Sequence, residues 1–182
     1  MTNRGSMIPA FGEQEFRDLM AGVCAPVTIV TATAGGLPHG TTVSAFASLS
    51  LRPPMVTVAL DRGSAVLSRI TATGRFGVNV LARNQDDLAL SFARRDTDRF
   101  AGVDWHFDHG LPRLDYAPGW LTCEVSDVVE GGDHLLLLGT VVHARTTPAP
   151  PLVYGYRTFG THSAYASRPR HSIREHVAAF AR

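Results

Sequence analysis

Apolar and polar residues alternate along the segment from Thr42 to Leu51, which reads T-V-S-A-F-A-S-L-S-L. Because successive side chains of a strand point to opposite faces, this alternation predicts a strand with one apolar face and one face that carries hydroxyl groups. Arg52–Pro54 follows at once, and proline has no N–H to donate to a ladder, so we expect the strand to end there. A second strand is expected from Met55 to Leu60.

The segment after these two strands combines a turn with the start of a helix. Asp61–Gly63 is a typical turn sequence, and Ser64 is a suitable N-cap for a helix over 64–73 that Gly74 ends. Hydroxyl groups can hydrogen-bond the polar edge of a ring, and a helix N-terminus beside an arginine is a ready anion site. The combination suits a flat heteroaromatic ligand with a phosphate tail. The alternative interpretation is a solvent-facing strand followed by an ordinary turn.

The rest of the chain alternates short helical patterns with β-branched runs. Further helices are expected over Glu15–Val23, over Gln85–Arg94 with Asn84 as N-cap, and over Ile173–Phe180. Further strands are expected over Val27–Thr33, Arg75–Leu81, Trp120–Val129, Leu135–Arg145 and Leu152–Tyr156, with hairpin turns over 34–38 and 130–133. The segment Trp105–Leu114 is expected to be irregular, with short extended pieces. Strands outnumber helices and hairpins outnumber βαβ units. The pattern therefore predicts a mainly β fold, an antiparallel barrel with appended helices.

The length of the chain, 182 residues, fits one domain. We place that domain at 15–160, with a loose segment over 1–14 before it and a partly helical tail over 161–182 after it. The formal net charge of +1 gives no indication of nucleic acid or of an anionic membrane. No apolar run has membrane-spanning length and no signal peptide is recognisable, so we expect a soluble cytoplasmic protein.

All 17 basic residues are arginines. A chain without lysine cannot form a lysine Schiff base or a P-loop, which excludes pyridoxal-phosphate enzymes and P-loop NTPases. Cys24 and Cys123 have no metal or redox spacing and are expected to be core or partly buried thiols, which is consistent with a reducing compartment.

Motifs for a metal site or for serine hydrolysis are weak in this sequence. His106 and His109 have two residues between them and lie in an irregular segment, which favours loop histidines, and we expect no metal site. A G-x-S-x-G nucleophile elbow is absent, so a serine hydrolase is not indicated. The charged connection over 94–99 is interpreted as a solvated loop.

The order of several motifs resembles the flavin reductase family with the FMN-binding split barrel. The motifs are G-T-T-V-S-A-F-A-S-L-S-L-R-P-P over 40–54, D-R-G-S over 61–64, G-R-F-G-V-N-V-L over 74–81, Gln85, S-F-A over 91–93, G-G-D-H over 131–134 and P-L-V-Y over 151–154. The resemblance covers roughly Phe16 to Phe159, most of the chain. It implies an antiparallel Greek-key split β-barrel that dimerises, with the flavin between the barrel and the partner subunit.

The resemblance also implies an activity. Members of this family are NAD(P)H:flavin oxidoreductases, which transfer a hydride from nicotinamide C4 to flavin N5 and supply reduced flavin to a partner monooxygenase. The flavin is FMN or FAD, and the donor is NADH or NADPH; the sequence leaves both choices open. Where the family often has a tyrosine after the last strand, this chain has Arg157–Phe159.

The resemblance assigns site residues in three groups. The residues expected at the flavin ring and ribityl chain are Thr42, Val43, Ser44, Ala45, Phe46, Ser48 and Leu49. Those expected at or near the phosphate are Ser50, Asp61, Arg62, Gly63 and Ser64, with Asn79, Phe92 and Ala93 as weaker cofactor contacts. The catalytic candidate is His134, which would position the nicotinamide, and Phe159 would form a wall of that pocket; otherwise His134 simply completes a hairpin turn.

Two other classes stay open. One is a flavin- or haem-binding split-barrel protein without reductase activity. The other is an oxidase like the pyridoxamine-phosphate oxidases, and both the absence of lysine and the S-x-S-L-R-P-P run of residues 48–54 disfavour it.

Overall fold

The computed structural model describes residues 11–94 and 98–166. The strands are β1 Ala25–Pro26, β2 Thr28–Ala34, β3 Leu37–Val43, β4 Phe46–Leu51, β5 Pro54–Asp61, β6 Arg75–Val80, β7 Trp105–Asp108, β8 Leu111–Leu114, β9 Gly119–Gly131, β10 His134–Thr146, β11 Val153–Gly155 and β12 Thr158–Gly160. The helices are α1 Glu13–Ala21, α2 Ala65–Thr73 and α3 Asp86–Ala93, with a 3₁₀ turn at Ser163–Tyr165. The helix expected over Ile173–Phe180 lies outside the described residues.

Seven strands form one antiparallel sheet in the order β3-β2-β6-β9-β10-β5-β4. The two edge strands, β3 and β4, follow each other in the chain and are joined by only Ser44 and Ala45. The sheet must therefore curl so that the end of β3 comes close to the start of β4, and the N–H of Ala59 in β5 extends the β4–β5 ladder by donating to the carbonyl of Ala45 at 2.9 Å. The predicted mainly β, antiparallel barrel with appended helices is confirmed.

The strand expected from Thr42 to Leu51 is in fact two strands. The alternation of side chains continues unbroken through Ser44 and Ala45, but the ladder does not, because Thr42 pairs with β2 and Phe46 pairs with β5. A bend at this point moves the chain from one edge of the sheet to the other. The predicted single strand is corrected accordingly.

Alternate residues of the strands fill the barrel. The interior cluster includes Val30, Val58, Phe76, Val78 and Leu137, each fully or almost fully buried. Helix α2 adds its own buried face, which consists of Val66, Leu67 and Ile70, and packs against β2. As predicted, the Ser64 hydroxyl accepts the Leu67 N–H at 3.4 Å, and Gly74 ends the helix in the left-handed conformation with φ 68°.

A second cluster lies on the outer side of the sheet, beneath α3 and the β7–β8 hairpin. The segment Trp105–Leu114, expected to be irregular with short extended pieces, forms this hairpin, with a turn in which His109 (φ 51°) and Gly110 (φ 75°) are left-handed. The two four-residue strands are the expected extended pieces, but their pairing was not predicted from the sequence.

The cap predicted for α3 is also different. Gln85, not Asn84, is the N-cap residue, and its side-chain Oε1 accepts the Ala82 N–H at 2.8 Å rather than capping the helix. Helix α1 occupies most of the range expected for it but buries none of its residues.

Both cysteines are free. Cys123 is buried, as expected, but Cys24 is exposed, which corrects the expectation of a core or partly buried thiol at that position. Burial raises the pKa of the Cys123 thiol to about 12. Within the described ranges, no helix has the length and apolar character that a membrane crossing requires.

We predict that Gly77→Ala destabilises the barrel wall. A Cβ at Gly77 would lie 2.5 Å from Thr31 Oγ1 and closer still to the Trp120 ring. Both neighbours are fully buried, so neither can move aside easily. We expect the free energy of unfolding, measured with a chemical denaturant, to fall by about 1–3 kcal/mol or more.

The matched control for this variant is Gly160→Ala. A Cβ at Gly160, in exposed β12, meets nothing within 4 Å. Equal stability of the two variants would contradict the packing account.

Candidate active site

A pocket of about 520 Å³ opens where β3 ends and the chain bends toward β4. Its volume is within the range of about 300–1,000 Å³ that small-molecule sites occupy. It is lined by Thr41, Thr42, Val43, Ser44, Ala45, Ala59, Leu60, Asp61, Gly63, Ser64, Ala65, Ala93, Arg99 and His134. The bend between β3 and β4, which we call the seam of the barrel, therefore also forms one wall of this pocket.

One side of the pocket is the turn that leads into α2. The Asp61 carboxylate accepts the Gly63 N–H at 2.6 Å, and the Asp61 carbonyl accepts the Ser64 N–H at 2.9 Å. These bonds fix the turn, so that Ser64 and Ala65 at the start of α2 line the pocket. The first turn of α2 carries no acidic side chain, and the positive end of a helix favours a negative charge. The Asp61 carboxylate also lines the pocket, where it is held by the Gly63 N–H.

The opposite side carries an arginine that backbone groups hold in place. Arg99 donates from Nη1 to the Gly40 carbonyl at 2.6 Å and from Nε to the Arg94 carbonyl at 2.7 Å. These two bonds hold the guanidinium at the pocket wall. The pocket thus lies between a helix N-terminus and a fixed positive charge.

The two hydroxyl groups near the bend, those of Thr42 and Ser44, differ in their hydrogen bonding. Thr42 donates to the Ala89 carbonyl of α3 at 2.6 Å. A hydroxyl has one proton, so Thr42 can only accept a hydrogen bond from a ligand. Ser44 is exposed at the bend, and its hydroxyl is suited to either role.

His134 stands at the first position of β10, between Asp61 of β5 and Gly131 of β9. Its Nδ1 lies 2.8 Å from the Asp133 carboxylate, and its side chain is 42% exposed. The hydrogen bond with His134, and then its charge, hold the pKa of Asp133 below the usual value. The carboxylate therefore stays ionised and fixes the orientation of the imidazole at the pocket.

A family model described as "Flavin reductase like domain" matches residues 20–163. The chain belongs to the flavin reductase family. The resemblance seen in the sequence is thereby confirmed, and with it the split-barrel fold and the class of oxidoreductase.

Individual relatives agree with this assignment. The NADH:riboflavin 5'-phosphate oxidoreductase of Streptomyces pristinaespiralis is 42% identical over 84% of this chain and 90% of its own length. The reductase component of a 4-nitrophenol 4-monooxygenase/4-nitrocatechol 2-monooxygenase from Rhodococcus opacus is 37% identical over 85% of this chain and 84% of its own. The structure of the NADH:FAD oxidoreductase SgcE6 of Streptomyces globisporus, in complex with NAD and FAD fragments, superposes with a TM-score of 0.81 at 30% identity, over 88% of this chain and 99% of that one.

The flavin reductase pocket brings together about half of the residues expected from the sequence. Those that line it are Thr42, Val43, Ser44, Ala45, Asp61, Gly63, Ser64, Ala93 and His134. The residues that lie elsewhere are Phe46, Ser48, Leu49, Ser50, Arg62, Asn79, Phe92 and Phe159.

The displaced residues have structural surroundings that explain their positions. The guanidinium of Arg62 is paired with Glu130 and donates from Nε to the Gly132 carbonyl at 2.8 Å, so it ties the D-R-G-S turn to the β9–β10 hairpin. Asn79 is fully buried, and its amide oxygen accepts the Leu114 N–H at 2.8 Å. Asn79 thus joins β6 to β8 and does not reach the pocket.

The aromatic residues expected at the flavin or nicotinamide are packed against other rings and do not line the pocket. Phe92 is fully buried and meets Phe100 edge-on at 5.0 Å between ring centroids. Phe159 packs on the outer cluster and on Tyr154, at 5.2 Å between centroids. Ser48, Leu49 and Ser50 project from the outer edge strand β4, beyond the bend that forms the pocket wall.

The pocket residues that the sequence pattern missed are Thr41, Ala59, Leu60, Ala65 and Arg99. Apolar Ala59 and Leu60 carry no chemical signal of their own. Arg99 belongs to the charged connection that was interpreted as a solvated loop, and the structure corrects that interpretation for this residue. The G-T-T motif gives no sign of this contact, because the group of Gly40 that binds Arg99 is its backbone carbonyl.

A second pocket, of about 560 Å³, continues from the first along β3. The two share Ala65 and Arg99. The second one is lined mainly by ring and apolar groups, from Leu37, Pro38, His39, Val66, Phe100, Ala101 and Trp105. Burial, and then the charge of Arg69, lower the pKa of His39, which favours the neutral form of this imidazole.

Proposed function

We propose that this flavin reductase transfers a hydride from nicotinamide C4 to N5 of a free flavin and releases the reduced flavin to a partner monooxygenase. The observation that carries the proposal is the pocket at the barrel seam, where hydroxyls, a helix N-terminus, an arginine and His134 converge. The flavin, when bound, supplies the hydride-accepting ring. The chain's own residues bind the two reactants, orient them and restrict the access of water.

The phosphate of the flavin fits the space between the N-terminus of α2 and Arg99. Backbone N–H groups and a guanidinium are the donors that phosphate prefers. The α2 turn is already fixed by the Asp61 carboxylate, so little ordering accompanies binding. Thr42 and Ser44 then face the polar part of the ring and the ribityl chain.

His134 positions the nicotinamide in this proposal. An imidazole can hydrogen-bond the carboxamide without transferring a proton to it, and Asp133 holds the ring in one orientation. Orientation is what this reaction needs, because the cofactors carry the chemistry themselves. His134 therefore touches a reactant but does not act as an acid or base.

The second pocket suits the adenosine of a dinucleotide. Its aromatic rings Phe100 and Trp105 offer surfaces for an adenine, and the neutral form of His39 adds no charge. Its continuity with the first pocket lets one ligand occupy both. We propose that it receives the adenosine of FAD or of the nicotinamide donor; both choices of cofactor, FMN or FAD and NADH or NADPH, are compatible with this arrangement.

The proposed partner is the monooxygenase component of a two-component system, which receives reduced flavin by diffusion. Relatives that are reductase components of monooxygenases support this partner. The two free thiols fit the reducing cytoplasm, where we propose that the protein acts.

One assay tests the whole proposal. The protein is mixed in turn with each pair formed from NADH or NADPH and FMN or FAD, and the nicotinamide absorbance is followed. Consumption of the donor that depends on added flavin supports a reductase. Binding of flavin or haem without consumption would favour the non-catalytic alternative, and turnover that requires an organic amine would favour the oxidase.

We predict that Arg99→Ala weakens the binding of FMN more than that of riboflavin. A hydrogen bond to a charged group contributes about 1.5–3 kcal/mol, so the ratio of the two dissociation constants should change by roughly tenfold to a hundredfold. Fluorescence titration with both flavins measures it. Arg62→Ala is the matched arginine variant, because Arg62 is held by Glu130 and Gly132 outside the pocket. A selective loss for FMN in Arg62→Ala alone would return the phosphate role to Arg62.

We predict that His134→Ala slows flavin reduction and leaves oxidised flavin bound. Loss of an orienting contact should lower the hydride-transfer rate by about tenfold to a hundredfold. His134→Asn should restore part of it, since an amide can still bond a carboxamide. Anaerobic rapid mixing follows the bleaching of the flavin. His106→Ala is the control, because His106 is also paired with an aspartate, Asp115 at 2.6 Å, but lies outside the pocket. Equal bleaching rates in His134→Ala and His106→Ala would make His134 a turn residue.

We also propose a homodimer in which each flavin site touches both subunits, and we place its interface on β4. This edge strand is paired on one side only and exposes Leu49 and Leu51 next to the pocket seam. We predict that Leu49→Asp shifts the protein toward monomer and lowers its flavin affinity, as measured by sedimentation velocity and titration. Leu90→Asp on α3 is the control, since the two leucines are 49% and 50% exposed. A wild-type monomer that still reduces flavin would exclude the shared site.

A further inference from the structure

The turn of the β7–β8 hairpin lies over the outer face of β10, far from the flavin pocket. His143 of β10 stands nine positions after His134. A strand rises about 3.3 Å per residue, so the two histidines are about 30 Å apart along β10. A group of side chains at His143 is therefore independent of the reductase site.

Three side chains with metal-ligating atoms converge there. Asp108, His109 and His143 each offer one donor atom, and these atoms lie within 4.8 Å of one another. The imidazoles of His109 and His143 are 4.3 Å apart between ring centroids, with their planes tilted by 37°. The Asp108 carboxylate oxygen Oδ1 lies 3.5 Å from His109 Nε2.

The backbone holds this arrangement in place. His109 is left-handed at φ 51°, and its carbonyl accepts a hydrogen bond from Arg75 Nη2 at 3.1 Å. The next carbonyl, that of Gly110, accepts the Thr33 hydroxyl at 2.8 Å. Two side chains from the sheet thus fix the turn, so that the ligand set is formed before any ion binds.

The Asp108 carboxylate has one oxygen available. Arg113 Nη1 donates to Oδ2 at 3.0 Å, which orients the carboxylate and leaves Oδ1 toward the histidines. The side chain of Asp108 is only 13% exposed. In metal sites, a ligating carboxylate is typically held by a hydrogen bond from an outer-shell group, as Arg113 holds Asp108 here.

Three buried polar atoms at the cluster have no partner among the described residues. They are Nε2 of His143, the hydroxyl oxygen of Thr122, which has no exposed surface, and Nε of Arg75, whose guanidinium bonds the His109 carbonyl. Thr122 pairs with His143 across β9 and β10, so both side chains stand on the same face of the sheet. An unsatisfied buried imidazole nitrogen is costly, and a bound cation would compensate that cost.

We propose that Asp108, His109 and His143 bind one divalent transition-metal ion of the zinc type. Two imidazoles and one carboxylate suit such an ion, whereas magnesium and calcium prefer oxygen ligands alone. A fourth position remains for water. The sequence had argued against a metal because the partner of His109 is 34 residues away in the chain, on a strand that the pattern could not bring next to the hairpin.

The charges around the cluster limit its affinity. Arg113 contacts Asp108, and Arg145 acts on the same carboxylate through space. These positive charges oppose a cation, so we expect binding weaker than that of a closed structural zinc site. The ion would join the β7–β8 hairpin to β10 and stabilise the folded chain.

The test is a calorimetric titration of the full-length, metal-free protein with zinc chloride, together with the absorption spectrum of its cobalt(II) complex. We expect one equivalent of zinc to be lost, or its affinity to fall by at least about a hundredfold, in both His143→Ala and His109→Asn. Asparagine tolerates the left-handed conformation, so His109→Asn keeps the turn and guards against misfolding of the other variant. The increase of Tm with zinc should disappear in both variants.

His106→Ala is the matched control, because His106 lies on the same hairpin and pairs with Asp115. The chain has eight histidines, and binding elsewhere would persist equally in all variants. Unchanged zinc stoichiometry and affinity in His109→Asn would overturn the proposal. Binding of inorganic phosphate instead of zinc would also overturn it if the same variants lost that binding, because this result would assign the cluster to an anion.

Discussion

The closure of the sheet between β3 and β4 is the constraint on which the rest of the structure depends. The two edge strands of a seven-stranded sheet are joined by Ser44 and Ala45 alone, so the sheet has no open form that keeps both ladders. At the bend, the backbone leaves one ladder before it joins the next, and the Ala45 carbonyl is satisfied by the Ala59 N–H. The space left between the two ladders becomes the pocket, and the N-terminus of α2 lies beside it. A fold that must close here therefore also creates a polar cleft here.

The sequence predicted the hydroxyl-bearing strand, the D-R-G-S turn and the cap at Ser64 because each is a local pattern. It could not predict the break at Ser44 and Ala45, since apolar and polar positions stay in phase through the bend and only the pairing partner changes. The same limit explains Arg62 and Arg99. Arg62 stands next to the helix start in sequence, but its partners Glu130 and Gly132 come from a hairpin 68 residues or more away. Arg99 stands far from the motif in sequence, but it binds the Gly40 carbonyl at the start of it.

Strand β10 connects the pocket at the barrel seam with the cluster of Asp108, His109 and His143. It begins with His134 at the pocket and reaches His143 beneath the β7–β8 turn, and the register with β9 shifts between Val141 and His143. Val141 packs on the barrel interior, whereas His143 pairs with Thr122 on the outer face. In a regular strand, the side chain two positions after Val141 would again face the interior. The extra residue Val142 shifts the register by one, so that His143 pairs with Thr122 and faces outward. The irregularity thus directs an imidazole outward, where it meets Asp108 and His109.

The absence of lysine explains how positive charge is held in this protein. Arginines donate to turn and loop carbonyls in several places: Arg62 to Gly132, Arg75 to His109 and Arg99 to Gly40. A lysine could supply the charge at these places, but it offers a single flexible ammonium, whereas a guanidinium can bind a carbonyl with one N–H and keep others for a second acceptor. At Arg99, the bonds to Gly40 and Arg94 hold the guanidinium at the pocket wall, where the proposed function places the phosphate. Under that proposal, a charge held in this way loses little side-chain freedom on binding, and binding requires less ordering of the protein.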